Sequence, residues 1–511
     1  MLYNILAMAK YMMRFRRNVY LDYNATTNVS RSVRRTMIRV LKQYYGNPSS
    51  IYTTGRKSAE IIDTARRHVA TAVNANPQNV YFTACATESN NAILKSLSRC
   101  HYPEKNKIIA TPIEHPSIHQ TLAFLASQNI VVEYCPVDSE GKIDPKRLES
   151  LIDEKTFLIC CMLANNEIGT VQDLPAIAEI SRRHNILVLS DCVQALGKIP
   201  IDLKAWGINY ASFSAHKLYG PKGVGALYIK HGSPFEPFMH GGHQEGGIRA
   251  GTECVHNIAG FGEACRNIKS LLANTRRIQK LKSKCIREIR KIKPDCIINS
   301  PESSCLANTI SVTIPDVHSA DIMAILDSRG IAVSAGSACS SGDDKPSHVL
   351  KAIGLSDSAA RQTLRISLGN RTTIGDIRYT INVVREYVTG GSVHVNMIRP
   401  VEVTEDIIFD EQNFILDVRP QFLRKIVKGL PNSHEASFFS IKRYLHLLPR
   451  DKHILVVCQG GYLAYMVVHF LKSKGFENVS CLRAGVVGWK EQCRDLYKKY
   501  AGQNISILEP A

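Results

Sequence analysis

Two cysteines stand in settings where a thiol would react rather than pack. Cys339 lies in a run of small residues from 334 to 342, which offers little side-chain volume to enclose a thiol. Cys458 follows the apolar run 454–457 and comes before two glycines, a pattern typical of a turn from a strand into a helix. Backbone N–H groups at such a turn point at one sulfur, favour an anion and predict a depressed thiol pKa. Two such thiols in one chain suggest that a group passes from the first to the second.

A lysine at the end of a β-rich run is a candidate for covalent catalysis. Lys217 follows Ser214 and His216 closely, and a glycine-rich turn comes next. A lysine fixed at such a turn can form a Schiff base, while the hydroxyl and the imidazole beside it can bind a phosphate.

Further side chains with matching chemistry stand at the ends of other β-rich runs. Asp191 ends such a run, and an acid there can pair with a protonated pyridine nitrogen and hold the ring as an electron sink. Gln194 follows three residues later. Ala86 and Thr87 open a predicted helix whose free N–H groups form an anion site, and His115 could stack on a cofactor ring. Together with the lysine, these residues predict a site for pyridoxal 5'-phosphate.

The elements that must position these residues follow an α/β pattern. From 18 to 389, short β-rich runs alternate with helical stretches, which is typical of βα units around a mostly parallel sheet. Segment 225–229 follows its predecessor closely enough to be antiparallel. After a predicted linker at 390–402, the smaller α/β unit at 403–511 has the length of an independent domain. Residues 1–17 form an N-terminal extension.

The element boundaries follow from the same periodicity. The predicted strands are 80–82, 107–110, 131–134, 158–162, 187–189, 211–213, 414–416, 454–457 and 479–482. The predicted helices include 58–74, 175–184, 463–474 and 488–500.

Composition bounds the class of protein. The 511 residues suffice for two or three globular domains, and 44% hydrophobic with 21% charged residues is ordinary for a soluble chain. The 15 cysteines are scattered without a CxxC pair, so neither a disulfide framework nor structural zinc is expected. No apolar run reaches the roughly 18 residues that span a membrane. We therefore expect a cytoplasmic location, or a mitochondrial one if residues 1–17 are a transit peptide.

The net charge of +19 is concentrated upstream of residue 401, and much of it lies in segment 266–295. This segment is predicted to be one long helix. Its cations form either a solvated helix face or a docking surface for an acidic partner or RNA. Since no aromatic residues interleave with these charges, direct nucleic-acid binding is not expected.

The first domain resembles the cysteine desulfurases of the NifS/IscS type, which are class V aminotransferase-like enzymes of pyridoxal-phosphate fold type I. The resemblance implies a large domain with a mostly parallel sheet, a small α+β domain and a homodimer. The motifs that carry it are 19–27, 46–50, 86–91, 165–169, 214–217 and 249–252.

The resemblance also implies a role for each residue that matches a motif. Lys217 would bind the cofactor covalently, with Asp191 on the pyridine nitrogen and His115 stacked on the ring to move protons. Arg365 would clamp the substrate carboxylate, and Cys339 would be the nucleophile that takes the sulfur. The remaining cofactor residues would be Ala86, Thr87, Asn166, Gln194, Ser214 and His216, with Thr252 reaching over from a partner subunit.

Two positions depart from the pattern of the family. This chain has Gly246 where the family often has an arginine, and it has Asn370 where an arginine often follows Ser-Leu-Gly. Both departures concern local contacts rather than the core chemistry. The sequence after Cys339, from Pro346 onward, resembles the longer-loop group that supplies sulfur to scaffold proteins.

Segments 416–419, 458–464 and 482–489 resemble a single rhodanese domain, and Cys458 matches its persulfide-bearing cysteine. Two departures stand out: Tyr462 replaces the usual arginine of the loop, and Gly429 begins Gly-Leu-Pro where Gly-His-Ile is usual. The missing basic side chain argues against thiosulfate activity and leaves persulfide carriage open. The alternative is an interaction domain in which Cys458 is a buried structural residue.

The sequence thus predicts a sulfur-transfer protein. It would convert L-cysteine to L-alanine and a Cys339 persulfide, and pass the sulfur through Cys458 to an iron–sulfur scaffold or a thiolation enzyme. Two alternatives remain, a selenocysteine lyase and a non-catalytic scaffold that binds sulfur acceptors.

Overall fold

The computed structural model of the chain describes residues 18–335, 346–389, 395–424 and 427–507. They divide into two compact units. The first unit comprises Val19–Asp316 and Ala332–Ile377. The second comprises the described residues of Val317–Ile331 and Arg378–Ala511, together with Asn18.

Strands and helices are numbered in chain order. The strands are β1 (Val19–Tyr20), β2 (Val80–Thr83), β3 (Lys107–Ala110), β4 (Val131–Tyr134), β5 (Thr156–Cys160), β6 (Leu187–Asp191), β7 (Tyr210–Ser214), β8 (Gly225–Ile229), β9 (Ile297–Ile298), β10 (Thr309–Thr313), β11 (Ile331–Ala332), β12 (Ser334–Ala335), β13 (Thr363–Ser367), β14 (Asn396–Ile398), β15 (Asn413–Asp417), β16 (Ser433–Glu435), β17 (His453–Val457), β18 (Val479–Leu482) and β19 (Ser506–Ile507). The helices are α1 (Arg31–Gln43), α2 (Thr53–Ala72), α3 (Ala86–His101), α4 (Pro116–Ala126), α5 (Pro145–Ser150), α6 (Leu174–Arg183), α7 (Leu203–Trp206), α8 (Val255–Arg266), α9 (Ile268–Ala273), α10 (Thr275–Ile292), α11 (Ser319–Ser328), α12 (His348–Ala352), α13 (Asp357–Arg361), α14 (Ile374–Val388), α15 (Glu405–Phe409), α16 (Gln421–Arg424), α17 (Tyr462–Lys472), α18 (Gly485–Gln492) and α19 (Arg494–Tyr500).

A seven-stranded sheet with the order β2-β8-β7-β6-β5-β3-β4 forms the centre of the first unit. The neighbours from β7 to β4 pair in parallel, and β8 is antiparallel to both β2 and β7, as the short connection before it predicts. Strands β3, β5 and β7 are buried at every residue because helices cover both faces of the sheet.

Two hydrophobic cores lie on the two faces of this sheet. One core packs α1, α2 and α8 against the sheet, through residues such as Val33, Val69 and Phe261. The other packs α3 and α4 through Leu97 and Leu122. The sheet is therefore held rigid, and its carboxyl ends give fixed positions to the residues that follow each parallel strand.

A four-stranded antiparallel sheet with the order β12-β13-β10-β9 completes the first unit. Strand β13 is buried throughout and carries Arg365. The fold class expected from the resemblance, a large mostly parallel domain with a small α+β part, is confirmed.

The second unit is built on a six-stranded parallel sheet with the order β14-β18-β17-β15-β16-β19. Its core includes Ile415, Leu455, Leu482 and Trp489. Strand β14 lies within the segment predicted to be a linker, since residues 396–398 pair with β18 along the edge of this sheet.

The second unit also takes in parts of the chain that the sequence predicts to belong to the first domain. Helix α11 and the chain from Arg378 group with the second unit. Within it, the side chain of Arg483 lies 4.0 Å from that of Asp321 on α11. Sequence periodicity cannot reveal such a grouping, because it depends on contacts between residues far apart in the chain.

Two predicted helices are each broken in the structure. Segment 266–295 forms α9 and α10 rather than one helix, with breaks at Asn267 and Asn274. The amide of Asn267 donates to the Glu263 carbonyl at 2.7 Å, so its side chain competes with the helical backbone. Segment 488–500 is interrupted at Cys493 between α18 and α19. None of the helices in the described ranges is both long and apolar enough to cross a membrane.

Candidate active site

A cavity of about 350 Å³ opens in the first unit, where the parallel strands of the large sheet end. Its lining residues are Asn24, Ala25, Cys85, Ala86, Thr87, His115, Ser117, Met162, Asn166, Asp191, Val193, Gln194, Ser214, His216, Lys217 and Arg365. The structure therefore brings together every predicted cofactor and substrate residue except Thr252.

The amine of Lys217 points back toward the N-terminal segment of the unit. Lys217 closes a short 3₁₀ turn that follows β7, and its Nζ donates to the carbonyl oxygens of Asn24 and Ala25, both at 2.7 Å. These contacts hold the amine at the cavity wall, where a bound carbonyl compound would meet it.

The carboxylate of Asp191 is fixed by hydrogen bonds at the end of β6. Its Oδ1 accepts from the backbone N–H of Val193 at 3.0 Å, and its Oδ2 accepts from the amide of Asn90 at 3.1 Å. The residue is buried. A buried, oriented carboxylate of this kind stabilises a cation opposite it, such as a protonated ring nitrogen.

A hydrogen-bond network of amides and amines joins Gln194 to Asn24, the residue whose carbonyl accepts from Lys217. The Gln194 Nε2 donates to the Asn24 carbonyl at 3.0 Å, while its Oε1 accepts from Lys198 Nζ at 2.5 Å. Lys198 Nζ also donates to Asn24 Oδ1 at 3.0 Å. Burial lowers the pKa of Lys198, and repulsion from Lys217 and Arg365 lowers it further.

Hydrogen-bond donors for an anion also line the cavity. Helix α3 begins here, and its N-cap residue Cys85 makes no side-chain capping bond, so the first N–H groups are available to a ligand. Ser214 is buried beside them. Burial lowers the pKa of His216 to about 4, with Lys217 adding repulsion, so this imidazole is neutral near pH 7.

His115 is held in one tautomer by the helix that it caps. The backbone N–H of Ser117 donates to His115 Nδ1 at 3.1 Å, so the neutral ring carries its proton on Nε2. Burial lowers the pKa of His115, Lys217 and His348 lower it further, and Asp191 opposes them. The residue is therefore a neutral imidazole at physiological pH.

Arg365 carries a buried donor without an acceptor. The residue is 1% exposed; one terminal nitrogen donates to Asp22 at 2.9 Å and the other to the Asn166 carbonyl at 3.3 Å. Its Nε has no hydrogen-bond partner among the described residues. A buried donor left unsatisfied is costly, so this one suits the carboxylate of a ligand.

These features fit pyridoxal phosphate. An uncapped helix N-terminus with a hydroxyl and a neutral imidazole suits the phosphate, and a fixed carboxylate suits the ring nitrogen. The lysine amine lies on the wall of the same cavity.

Two predicted residues lie elsewhere. Thr252 is exposed and lines a separate cavity of about 320 Å³ with 44–48 and 253–256. Its predicted contact is with the cofactor of a partner subunit. Cys339 lies outside the described residues.

Cys458 stands where the sequence predicts, between β17 and α17. Backbone N–H groups of Gly460, Gly461, Leu463 and Ala464 are directed at its sulfur and lower its pKa. Burial is the larger effect, since the residue is 1% exposed, and the pKa of the thiol is raised overall. The prediction of a depressed pKa is therefore wrong, because desolvation of the thiolate outweighs the N–H groups.

A buried ion pair supports the loop that holds Cys458. Arg419 contacts Asp417 at 2.6 Å, with both side chains at most 1% exposed, and it donates to the Val427 carbonyl at 2.7 Å. It also donates to the Gln459 side chain at 3.4 Å. A Cβ on Gly429 would lie 2.9 Å from Arg419 Nη2 and 3.0 Å from Asp417 Oδ2, so a side chain there would displace the ion pair.

Several residues that hold the side chains of the cavity in place were not assigned from the sequence. Asp22, Asn24, Asn90 and Lys198 position the residues named above and touch them directly. Asp22 and Asn24 lie in motif 19–27. That motif indicated the family, but it did not indicate a role for either side chain.

Comparisons with known proteins agree with this geometry. The family model described as Aminotransferase class-V matches residues 19–379, and the Rhodanese-like domain model matches residues 401–492. A relative named cysteine desulfurase IscS from Dictyoglomus turgidum is 39% identical over 374 residues, which cover 73% of this chain and 95% of the relative. A cysteine desulfurase IscS from Methanosarcina thermophila is 39% identical over 371 residues, or 72% of this chain and 92% of the relative.

Solved structures resemble the same part of the chain. A NifS-like protein has a TM-score of 0.69 and 38% identity, covering 73% of this chain and all of its own. A structure described as SspA in complex with cysteine has a TM-score of 0.63 and 34% identity, covering 70% of this chain. The chain therefore belongs to the class-V aminotransferase family, within its cysteine desulfurase group, and carries a rhodanese-like domain after it.

Proposed function

We propose that the chain is a pyridoxal-phosphate-dependent cysteine desulfurase that converts L-cysteine to L-alanine and transfers the sulfur to Cys339. The observation that carries the proposal is that one cavity is lined by Lys217, Asp191 and Arg365, whose Nε has no hydrogen-bond partner in the described ranges. The relatives named cysteine desulfurase support the choice of substrate.

Different residues of the cavity would hold different parts of the cofactor. Ser214, His216, Thr87 and the N-terminus of α3 would hold the phosphate, and Lys217 would attach the cofactor. Asp191 would hold the ring nitrogen, while Gln194 and Asn166 would contact the ring oxygen. When bound, pyridoxal phosphate would withdraw electrons from the amino acid and so weaken its Cβ–Sγ bond.

One charged side chain would orient the substrate, and one imidazole would transfer its protons. Arg365 binds the carboxylate through its buried guanidinium, whose Nε has no other acceptor in the described part of the chain. His115 is neutral and carries its proton on Nε2, so it can give a proton there and take one back.

The sulfur then moves between thiols. The Cys339 thiolate attacks the sulfur of the substrate, and the Cβ–Sγ bond breaks with its electron pair going to Cβ, which takes a proton and becomes the methyl group of alanine. Cys339 is left as a persulfide. We propose that Cys458 receives this sulfur and passes it to an iron–sulfur scaffold or a thiolation enzyme. The N–H groups directed at Cys458 would stabilise a persulfide anion, provided that its burial is relieved during transfer.

The active form is proposed to be a homodimer. Two apolar side chains that line the cavity of Thr252, Leu41 and Tyr45, are more than half exposed. Three further large apolar side chains of the same stretch of chain are also at least half exposed; they are Ile38, Ile51 and Tyr52. Such a cluster is typical of an interface. A second copy covering it would bring Thr252 toward the cofactor of its partner, as the resemblance implies.

The test of the desulfurase proposal is alanine release by the protein loaded with pyridoxal phosphate. Lys217→Ala should abolish both the release of alanine and the visible absorbance of the lysine-bound cofactor. Lys222→Ala, an exposed lysine of the same turn, is the matched control and should keep both. Loaded wild-type protein that releases no alanine from L-cysteine would refute the proposal, and faster release from L-selenocysteine would favour the lyase instead.

The relay is tested separately with sulfur-labelled cysteine. Label should reach the second unit in the wild type and be lost from it in Cys458→Ser, while alanine release continues. If label accumulates on the second unit of Cys458→Ser as in the wild type, relay through Cys458 is wrong.

A further inference from the structure

Helix α10 carries more positive charge than its surroundings neutralise. It holds eight Lys or Arg residues against the single acid Glu288. Glu288 contacts Lys291 at 3.2 Å and Arg287 at 3.7 Å, so one carboxylate serves two cations. Arg290 is exposed and forms no ion pair within the described ranges. This surplus favours an acidic partner over a self-contained network of ion pairs.

The cations line a groove rather than a flat surface. A cavity of about 570 Å³ runs between α10 and the segment from Ile298 to Glu302. We name it the basic groove; its lining residues on the helix include Lys282, Arg287, Arg290 and Lys291. Glu302 is the one acid among the described residues that line the basic groove. The basic groove shares no lining residue with the cavity that contains Lys217 and Asp191.

The wall opposite the helix includes the edge of a sheet. Strand β9 is the last strand of the four-stranded sheet, and among the described strands it pairs with β10 alone. Its residue Ile298 lines the basic groove, and Ile297 is 52% exposed. An edge strand presents backbone N–H and C=O groups that can pair with an added strand.

The basic groove also has apolar lining residues. The cations and Ile286 line it on the side of α10, whereas Ile298 and Pro301 line the opposite wall. An extended peptide with alternating acidic and apolar side chains matches this arrangement, because successive side chains of a strand point to opposite sides.

We propose that the basic groove binds an extended acidic segment of a partner protein, which pairs with the free edge of β9. Its carboxylates meet Arg287, Arg290 and Lys291, and its apolar side chains pack on Ile286 and Pro301. RNA is the weaker candidate, because no aromatic side chain for base stacking is among the described residues that line the groove. The inference concerns a surface that the proposed desulfurase chemistry does not use.

Binding is measured with the full chain and a fluorescent peptide of alternating glutamate and valine. The double variant Arg287→Glu, Arg290→Glu should weaken binding at least about tenfold, because two attractions become repulsions. The matched control is Arg276→Glu, Lys280→Glu, which makes the same change of charge on the same helix outside the groove, and it should lose less than about threefold. Equal losses in both variants, or none in the first, would overturn the proposal.

Two further measurements test whether the peptide pairs with β9 as a strand and whether the basic groove binds RNA instead. The same peptide with its alternate backbone amides N-methylated should bind about tenfold more weakly, because it cannot donate to the edge of β9. Unchanged binding would show that no strand is added there. An oligouridine of equal length should not displace the peptide; displacement that the groove variant abolishes would identify the surface as an RNA site and overturn the proposal.

Discussion

The amine of Lys198 holds a position between two residues of the cofactor cavity. It donates to Gln194 Oε1 and to Asn24 Oδ1, and the Asn24 carbonyl in turn accepts from Lys217. Lys198 therefore positions the amide that is proposed to contact the cofactor ring, although it does not line that cavity itself.

Replacing Lys198 by methionine should weaken the binding of pyridoxal phosphate by about five- to tenfold, since one hydrogen bond of roughly 1 kcal/mol to Gln194 is lost. Titration of the apoprotein with the cofactor, followed by absorbance, measures this change. Lys204→Met, an exposed lysine of α7, serves as the control. If Lys198→Met binds pyridoxal phosphate as tightly as the wild type, Lys198 does not position Gln194 for the cofactor.

A buried carboxyl group near the cavity makes stability depend on pH. Glu114 is 0% exposed, its Oε1 accepts from Thr111 and from the Met162 backbone, both at 2.7 Å, and its Oε2 has no partner in the described residues. Burial raises its pKa from the ordinary 4.5 to about 8. Between these two values the folded state keeps a proton that the unfolded chain has lost, so the free energy of unfolding falls as pH rises.

The variant Glu114→Gln keeps an oxygen for both hydrogen bonds and cannot ionise. Its Tm relative to wild type should therefore rise steadily from pH 5 to pH 8, measured by thermal unfolding at a series of pH values. Other titrating groups are shared by the two proteins and cancel in the difference. A difference in Tm that stays constant with pH would mean that the pKa of Glu114 is ordinary in the folded state.

Sequence motifs identified those residues of the cavity whose side chains have a direct chemical role. Lys217, Asp191 and His115 each end or follow a β-rich run, and the parallel sheet brings such positions to one edge. Residues that act through contacts, such as Asn24 and Lys198, could not be assigned. The contact between these two joins residues 174 positions apart, and Lys217 contacts Asn24 through a backbone carbonyl, which carries no sequence signal.

Element boundaries were predictable where burial is regular and failed where side chains compete with the backbone. Strands β3 and β18, which are buried at every residue, have the predicted bounds. The long basic helix is broken at Asn267 because its amide bonds to a backbone carbonyl, which hydrophobic periodicity does not register. Strand β14 is short and forms an edge, so its three residues resemble a linker in sequence.

The loop of Cys458 depends on the ion pair at the end of β15. Arg419→Leu leaves Asp417 as a buried charge without its partner, which should destabilise the second unit by about 3–5 kcal/mol. The double variant Asp417→Asn, Arg419→Leu removes both charges and should recover part of that loss. Denaturant unfolding, followed through the fluorescence of Trp489 in a Trp206→Phe background that removes the tryptophan of the first unit, measures the second unit.

Absorbance of the lysine-bound cofactor reports on the first unit in the same samples, and its transition should be unchanged in both variants. If the double variant is no more stable than Arg419→Leu, the pair acts through packing and hydrogen bonds rather than through the charge of Asp417.

At the scale of the whole molecule, the position of Thr252 determines what a complete site requires. Thr252 lines a different cavity from Lys217 within one chain, and Tyr45 and Ile51 nearby are 83% and 89% exposed. A symmetric dimer that buries this region would give each site one residue from each copy. Replacing Ile51 by aspartate should therefore yield monomers in sedimentation and weaken cofactor binding together.

The decisive prediction is complementation between two inactive chains. Lys217→Ala lacks the lysine of its own site, and Thr252→Val lacks the threonine that it would lend to a partner. A mixed dimer has one site with both residues intact, so random association should give about one quarter of wild-type sites, since half of the dimers are mixed and each has one of two sites. Alanine release at limiting cofactor concentration measures it, with each variant alone as the control. If the mixture is no more active than the sum of the separate variants, Thr252 does not act across a dimer, whatever the oligomeric state.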